Sequence, residues 1–127
     1  MRKILIVDDS LLDRKLLINV IKKAALNNDI FQAANGQEGL KLLSENLSDI
    51  GIVLLDWQMP VMDGIEFMRK LRQVSETAQV PVVMITASGS EDNKRIAYGV
   101  NPELLGYIVK PYKPEQVLEI IKPLLLP

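Results

Sequence analysis

The segment Ile50-Gly51-Ile52-Val53-Leu54-Leu55-Asp56-Trp57-Gln58-Met59-Pro60-Val61-Met62-Asp63-Gly64-Ile65-Glu66-Phe67-Met68-Arg69-Lys70-Leu71 changes its hydrophobic period partway along. Ile50–Leu55 carries no polar side chain and ends abruptly at Asp56, the pattern of a strand buried on both faces. Pro60 and the pair Asp63-Gly64 are turn signals. Ile65, Phe67, Met68 and Leu71 then form one face of a helix, with Asp63 and Glu66 as cap and capping partner. Strand, turn and helix in this order make the beginning of a βαβ unit.

The same alternation extends in both directions. Upstream, Ile4–Val7 is a short apolar run ending at Asp8-Asp9. Ser10-Leu11-Leu12-Asp13 follows as a capping-box pattern, with Leu12, Leu16, Val20, Ile21 and Ala24 as a helical stripe. Asp29–Ala33 is a weaker strand, and Asn35-Gly36-Gln37-Glu38 repeats the cap before Leu40, Leu42 and Leu43. Downstream, Pro81–Ile85 is a fourth strand ending at Thr86-Ala87, and Glu91–Tyr98 is a short polar helix. Gly106–Val109 is a fifth strand, and Pro114 suits the first turn of a last helix through Val117, Ile120 and Ile121. Five strands alternating with five helices predict one α/β domain over 1–127, a parallel sheet covered on both faces with right-handed crossovers.

Composition narrows the chemistry. The 127 residues hold 15 Lys+Arg against 16 Asp+Glu, with no His and no Cys. One compact domain is expected at this length. A net charge of −1 argues against a nucleic-acid-coating surface. Without Cys or His, disulfides, thiolate nucleophiles, iron–sulfur clusters, His-based triads and the usual zinc sites are excluded. No apolar run approaches the roughly 18 residues of a membrane span, and Ile4–Val7 is too short for a signal-peptide core. The expectation is a soluble cytoplasmic domain, with Met1 directly before the first strand as a natural start.

In open α/β sheets the functional crevice lies outside the carboxyl ends of the strands. Strand one delivers Asp8 and Asp9 there, strand three Asp56, strand four Thr86 and strand five Lys110. Each alone has an ordinary use as a cap, a turn or a strand end. Together they differ, because carboxylates crowded into one crevice repel unless a cation neutralises them. Adjacent acids would also repel a nucleotide phosphate, which wants a glycine-rich loop instead. An oxygen-only site of this kind suits Mg²⁺. Lys110 then supplies a point charge and Thr86 a hydroxyl, as a transferring phosphoryl group requires. A carboxylate is the best nucleophile left, and Asp56, ending the central apolar strand, is the best acceptor. Asp8 and Asp9 are better placed to hold the metal.

With these residues in view, the chain resembles a two-component response-regulator receiver domain of the single-domain, CheY-like kind. The resemblance rests on Asp8-Asp9 after Ile4–Val7, on Leu55-Asp56-Trp57-Gln58-Met59-Pro60-Val61-Met62-Asp63-Gly64, on Thr86-Ala87 and on Tyr107-Ile108-Val109-Lys110-Pro111, in the family's order and across almost the whole chain. It implies a doubly wound five-stranded parallel sheet in the flavodoxin-like order 2-1-3-4-5. It implies that Asp56 becomes a 4-aspartylphosphate, phosphorylated from a histidine kinase or histidine phosphotransfer protein. Asp9 and Asp56 would ligate Mg²⁺ with the backbone carbonyl of Gln58, and Asp8 would help, partly through water. Lys110 would contact the phosphoryl group, Thr86 would swing toward it, and Tyr107 would follow by turning inward. Output would pass to a protein through the helix 4–strand 5–helix 5 face, with no direct nucleic-acid or membrane contact. The Lys110-Pro111 peptide is typically cis in this family.

One segment departs from the pattern. Between Gly99 and Lys110 the typical member has a shorter, small-residue loop, whereas Asn101-Pro102-Glu103-Leu104-Leu105 intervenes here. Trp57 is expected to pack partly beside the crevice, and Tyr98 and Tyr112 are assigned no role. Two other readings compete. A phosphorylation-independent interaction module would be expected to lack at least one of Asp8, Asp9, Asp56, Thr86 and Lys110. A phosphatase of the haloacid dehalogenase type needs a second Asp two residues after the nucleophile as general acid, where this chain has Gln58. Gln58 and Ser88 flank the site where water attack on a phosphoryl group could be tuned.

Overall fold

A computed structural model describes residues 2–126. Its elements, in chain order, are β1 (Lys3–Val7), α1 (Leu11–Lys23), β2 (Ile30–Ala33), α2 (Gly36–Glu45) and β3 (Ile50–Leu55), then α3 (Gly64–Gln73), β4 (Val82–Thr86), α4 (Glu91–Val100), β5 (Gly106–Val109) and α5 (Pro114–Leu125). All strand pairs are parallel, in the order β2-β1-β3-β4-β5. The expected elements and order are those observed, with strand ends shifted by a residue.

Strand side chains alternate between faces, so each apolar run divides into two cores. Leu5, Val7, Val53, Leu55, Val82 and Met84 meet α2, α3 and α4 through Leu43, Phe67, Met68, Leu71 and Ala97. Ile4, Ile6, Ile52, Leu54, Val83 and Ile85 meet α1 and α5 through Leu17, Ile21, Val117, Ile121 and Leu125. Each such fully buried side chain contributes about 1.5–3 kcal/mol. Ile50 and Val53 share a face although three residues apart. The register explains it: Lys3 pairs with Ile50 and Ile4 with Ile52, so Gly51 is an extra residue bulged out of β3.

Two local expectations need correction. The stripe predicted for α1 includes Leu12 and Leu16, which are 67% and 50% exposed. The buried row is Leu17 and Ile21. This helix carries two apolar rows, and only the one pointing at the sheet is covered; Leu16 and Val20 border a cleft shared with Tyr112 and Pro114. The Ser10 capping box is also only half formed. Ser10 Oγ accepts from the Asp13 backbone N–H at 3.2 Å, but the Ser10 N–H donates to Asp8 Oδ1 and the Asp13 carboxylate is engaged elsewhere. The caps at Asn35 and Asp63 hold, each accepting a backbone N–H three residues on at 2.9 Å.

The β3–α3 loop reaches the site through a tight turn. Met62 N–H donates to the Pro60 carbonyl at 2.7 Å, and Val61 between them has φ 68°. A three-residue turn of this sense is strained, and a β-branched side chain makes it worse. Val61 is 73% exposed, so little packing offsets the cost. Gly64 closes the loop: its N–H donates to the Trp57 carbonyl at 2.7 Å, and a Cβ there would lie 2.2 Å from the Asp56 carbonyl oxygen. Replacing Val61 by glycine relieves strain of about 1–3 kcal/mol against about 1 kcal/mol of added chain entropy. Val61→Gly is therefore expected to raise the unfolding free energy by about 1 kcal/mol. Urea titration checks it; a less stable variant would mean that the turn is relaxed.

Candidate functional site

Every strand but the edge strand β2 delivers a predicted residue to the same end of the sheet. Asp8 follows β1, Asp56 follows β3, Thr86 ends β4 and Lys110 follows β5. Asp8 is 2% exposed, Asp9 beside it faces solvent, and Asp56 lies between these extremes. One carboxylate oxygen from each of Asp8, Asp9 and Asp56 lies within 4.8 Å of the others. The Asp56 carboxylate is oriented by the Trp57 N–H, which donates to Oδ1 at 2.6 Å. Its other oxygen faces the lysine. Trp57 itself is half-buried against the α2–α3 core, as expected.

The Lys110 ammonium is the hub. It donates to Asp8 Oδ2 at 2.9 Å, Asp13 Oδ2 at 2.8 Å and Asp56 Oδ2 at 3.1 Å. An ammonium has three N–H donors, so all are spent. Burial works against its charge, but the hydrogen bonds to Asp13 and Asp8 and the pull of Asp56 outweigh burial and hold its pKa above the ordinary lysine range. Burial also pushes the Asp8 carboxyl up; hydrogen bonds from Lys110 and Ser10 oppose the shift, and the Asp56 charge adds to it. The Arg14 guanidinium braces the Asp8 backbone, donating to its carbonyl at 2.6 Å. The Lys110–Pro111 peptide is cis.

Thr86 is buried, and its hydroxyl accepts from the Ser88 N–H at 3.4 Å. Tyr107 packs half-buried on the α2–α3–α4 side and donates its hydroxyl to the Ser88 carbonyl at 2.6 Å. Burial raises its phenol pKa. The turn after β4 is thus held from both residues, and the Asn93 side chain is also bonded to the Ser88 hydroxyl. Gln58 lies exposed on the β3–α3 loop.

Sequence reasoning missed Asp13. Its spacing from Ser10 reads as a helix cap, yet the first turn of α1 points its carboxylate at Lys110, 97 residues away in the chain. The signal available was an acid one helical turn past Asp8-Asp9 at the mouth of the same crevice. The Asn101–Leu105 departure is built into the fold. Asn101 Oδ1 accepts from the Glu103 N–H at 3.1 Å, Leu104 is buried, and Glu103 pairs with Arg72 of α3 at 3.0 Å.

This arrangement defines a class: a doubly wound α/β domain whose crevice gathers carboxylates around one lysine. A donor set of oxygens only, close enough to share a cation, fits a hard divalent ion. The family model for the response regulator receiver domain matches residues 4–122. The chain is 33% identical over 125 residues to a chemotaxis protein CheY homolog of Campylobacter jejuni, covering 97% of this chain and 92% of that protein. It is 40% identical over 123 residues to the transcriptional regulatory protein SrrA of Staphylococcus aureus, covering 97% of this chain and 47% of that longer protein. The solved structure of chemotaxis response regulator CheY4 of Vibrio cholerae superposes with TM-score 0.83 at 30% identity, covering 98% of this chain and 99% of that one. The Mn(2+)-bound form of response regulator Rcp1 shares the fold with TM-score 0.78 at 23% identity, covering 97% and 91%. The chain belongs to the response regulator receiver family, a family of signalling domains. Among the described residues no helix is long and apolar enough to cross a membrane.

Removing the hub leaves Asp8 buried without a counter-charge. Lys110→Met in metal-free buffer is expected to lower stability by about 3 kcal/mol at neutral pH. The sign with pH follows from the raised Asp8 pKa, which rises further without the lysine. The penalty is full above that pKa and shrinks as pH falls through it, because the neutral acid needs no partner. Urea titrations of both proteins at neutral and mildly acidic pH measure this; a pH-independent deficit would locate the loss in packing.

Proposed function

We propose that residues 1–127 act as one phosphorylation-controlled switch, with Asp56 as the phosphoryl acceptor. The observation that carries this reading is the Asp56 carboxylate in the crevice, one oxygen on the Trp57 N–H and the other on Lys110, beside Asp8 and Asp9. Family membership supports a phosphohistidine donor on a histidine kinase or histidine phosphotransfer protein. Asp56 Oδ2 attacks the phosphorus, the P–N bond breaks, and its electron pair stays on the departing imidazole. Lys110 moves its contact from Asp56 Oδ2 to a phosphoryl oxygen. Asp8, Asp9 and Asp56, with the Gln58 backbone carbonyl, would hold Mg²⁺. That ion supplies charge neutralisation for the carboxylates and the phosphoryl oxygens.

The added charge then biases a two-state element. The Thr86 hydroxyl leaves the Ser88 N–H for the phosphoryl group, and the Ser88 turn with Tyr107 adjusts to it. The change is read on the α4–β5–α5 face by another protein; Ile96 and Tyr98 of α4 and Leu105 just before β5 are exposed apolar residues. No acid stands at Gln58 to protonate a leaving group, so the phosphoryl group is stored and lost to water, not turned over as a substrate.

Incubation with Mg²⁺ and acetyl phosphate, followed by intact mass measurement, is expected to add one phosphoryl group to the parent and none to Asp56→Asn. Asp9→Asn is expected to lose both the adduct and the Trp57 fluorescence change on adding Mg²⁺. A parent chain without an adduct from acetyl phosphate or from a phosphorylated histidine donor would favour the inert interaction module. Steady release of phosphate from esters would favour the phosphatase.

A further inference from the structure

We infer that Asp13 is a positioning residue that competes for the Lys110 ammonium and so weakens the hold of the crevice on a phosphoryl group; this rests on the proposed role of Asp56. The geometry carries it. Of the three carboxylates on Lys110, Asp13 makes the shortest contact, 2.8 Å, and Asp56 the longest, 3.1 Å. Asp8 and Asp56 lie under the crevice at the ends of β1 and β3, whereas Asp13 reaches in from α1 and draws the ammonium toward that helix. Its side chain is one-third exposed, so solvent does not force this contact on it.

A phosphoryl group on Asp56 needs the lysine as a donor and brings more negative charge. With Asp13 present, three carboxylates share one ammonium, and Asp9 adds a fourth negative charge at the solvent side of the crevice. The incoming oxygens then meet a lysine with part of its charge already answered, and a further anion nearby. Asp13 is not part of the group that could share a cation, which is Asp8, Asp9 and Asp56. Its effect should therefore fall on anion binding through Lys110, with Mg²⁺ affinity changing less.

The test is titration of the Mg²⁺-loaded full chain with beryllofluoride, a phosphoryl mimic, read by Trp57 fluorescence. Asp13→Asn keeps the size of the side chain and the Ser10 cap, which uses only the backbone N–H of residue 13. It is expected to tighten beryllofluoride binding about three- to tenfold, as removal of one charge at this range implies. Asp13→Glu is expected to restore affinity toward the parent value. Glu38→Gln, which removes one charge from the exposed start of α2 without touching Lys110, is expected to leave affinity within twofold, about the size of a screened surface effect. Unchanged binding in Asp13→Asn, or an equal gain in Glu38→Gln, would overturn the proposal while leaving the acceptor role intact. A parent that binds no beryllofluoride would overturn both.

Discussion

The lysine after β5 must remain charged inside a largely buried crevice, and most of the site follows from how that is arranged. A buried ammonium is tolerated only where carboxylates surround it. Buried carboxylates in turn need a cation. Asp8 and Lys110 therefore depend on each other across 102 residues of chain, and the strand order must leave the end of β5 within a lysine's reach of the ends of β1 and β3. The excess of acids over this one lysine leaves the crevice under-neutralised at rest. An excess of this kind, made of oxygen donors only, is what a hard divalent cation would answer.

The fold holds this tension through packing on the two faces of one sheet. The central strands β1, β3 and β4, buried on both sides, gain from almost every residue, so short runs of five or six residues suffice for a rigid floor. The strand ends cannot continue that burial, and the chain turns polar at the same level in β1, β3, β4 and β5. The crevice is thus a consequence of where the hydrophobic runs stop. Loops above it are held by a few specific contacts. Gly64 allows the backbone to fold back onto Trp57, and Tyr107 and Thr86 both hold the turn at Ser88. The strained turn at Val61 sits in the loop that carries Gln58, where the chain must reverse in very few residues.

The segment between α4 and β5 illustrates how a departure in sequence can be absorbed. Along the chain, Pro102 and the two leucines read as a departure from the family's shorter, small-residue loop. In the fold Asn101 and Leu104 turn inward and Glu103 spans to Arg72, so the segment fastens α3 to the entry of β5. Leu105, the last residue of the segment, and Ile96 in the helix before it stay exposed.

The alternation of elements, the two-sided burial of the central strands and the convergence of Asp8, Asp9, Asp56, Thr86 and Lys110 can all be read along the chain. These are legible because hydrophobic period and strand-end polarity are local properties, and the position of a crevice follows from them by topology. Resemblance supplied the strand order. The rotation of α1 was not legible, since two apolar rows satisfy the same helical period and only contact with the sheet chooses Leu17 and Ile21 over Leu12 and Leu16. Nor was the role of Asp13, since its spacing from Ser10 is that of an ordinary cap. That its carboxylate meets Lys110 is settled in the fold, because a pairing between residues 97 apart depends on where the sheet sets α1 against the end of β5, not on any local pattern.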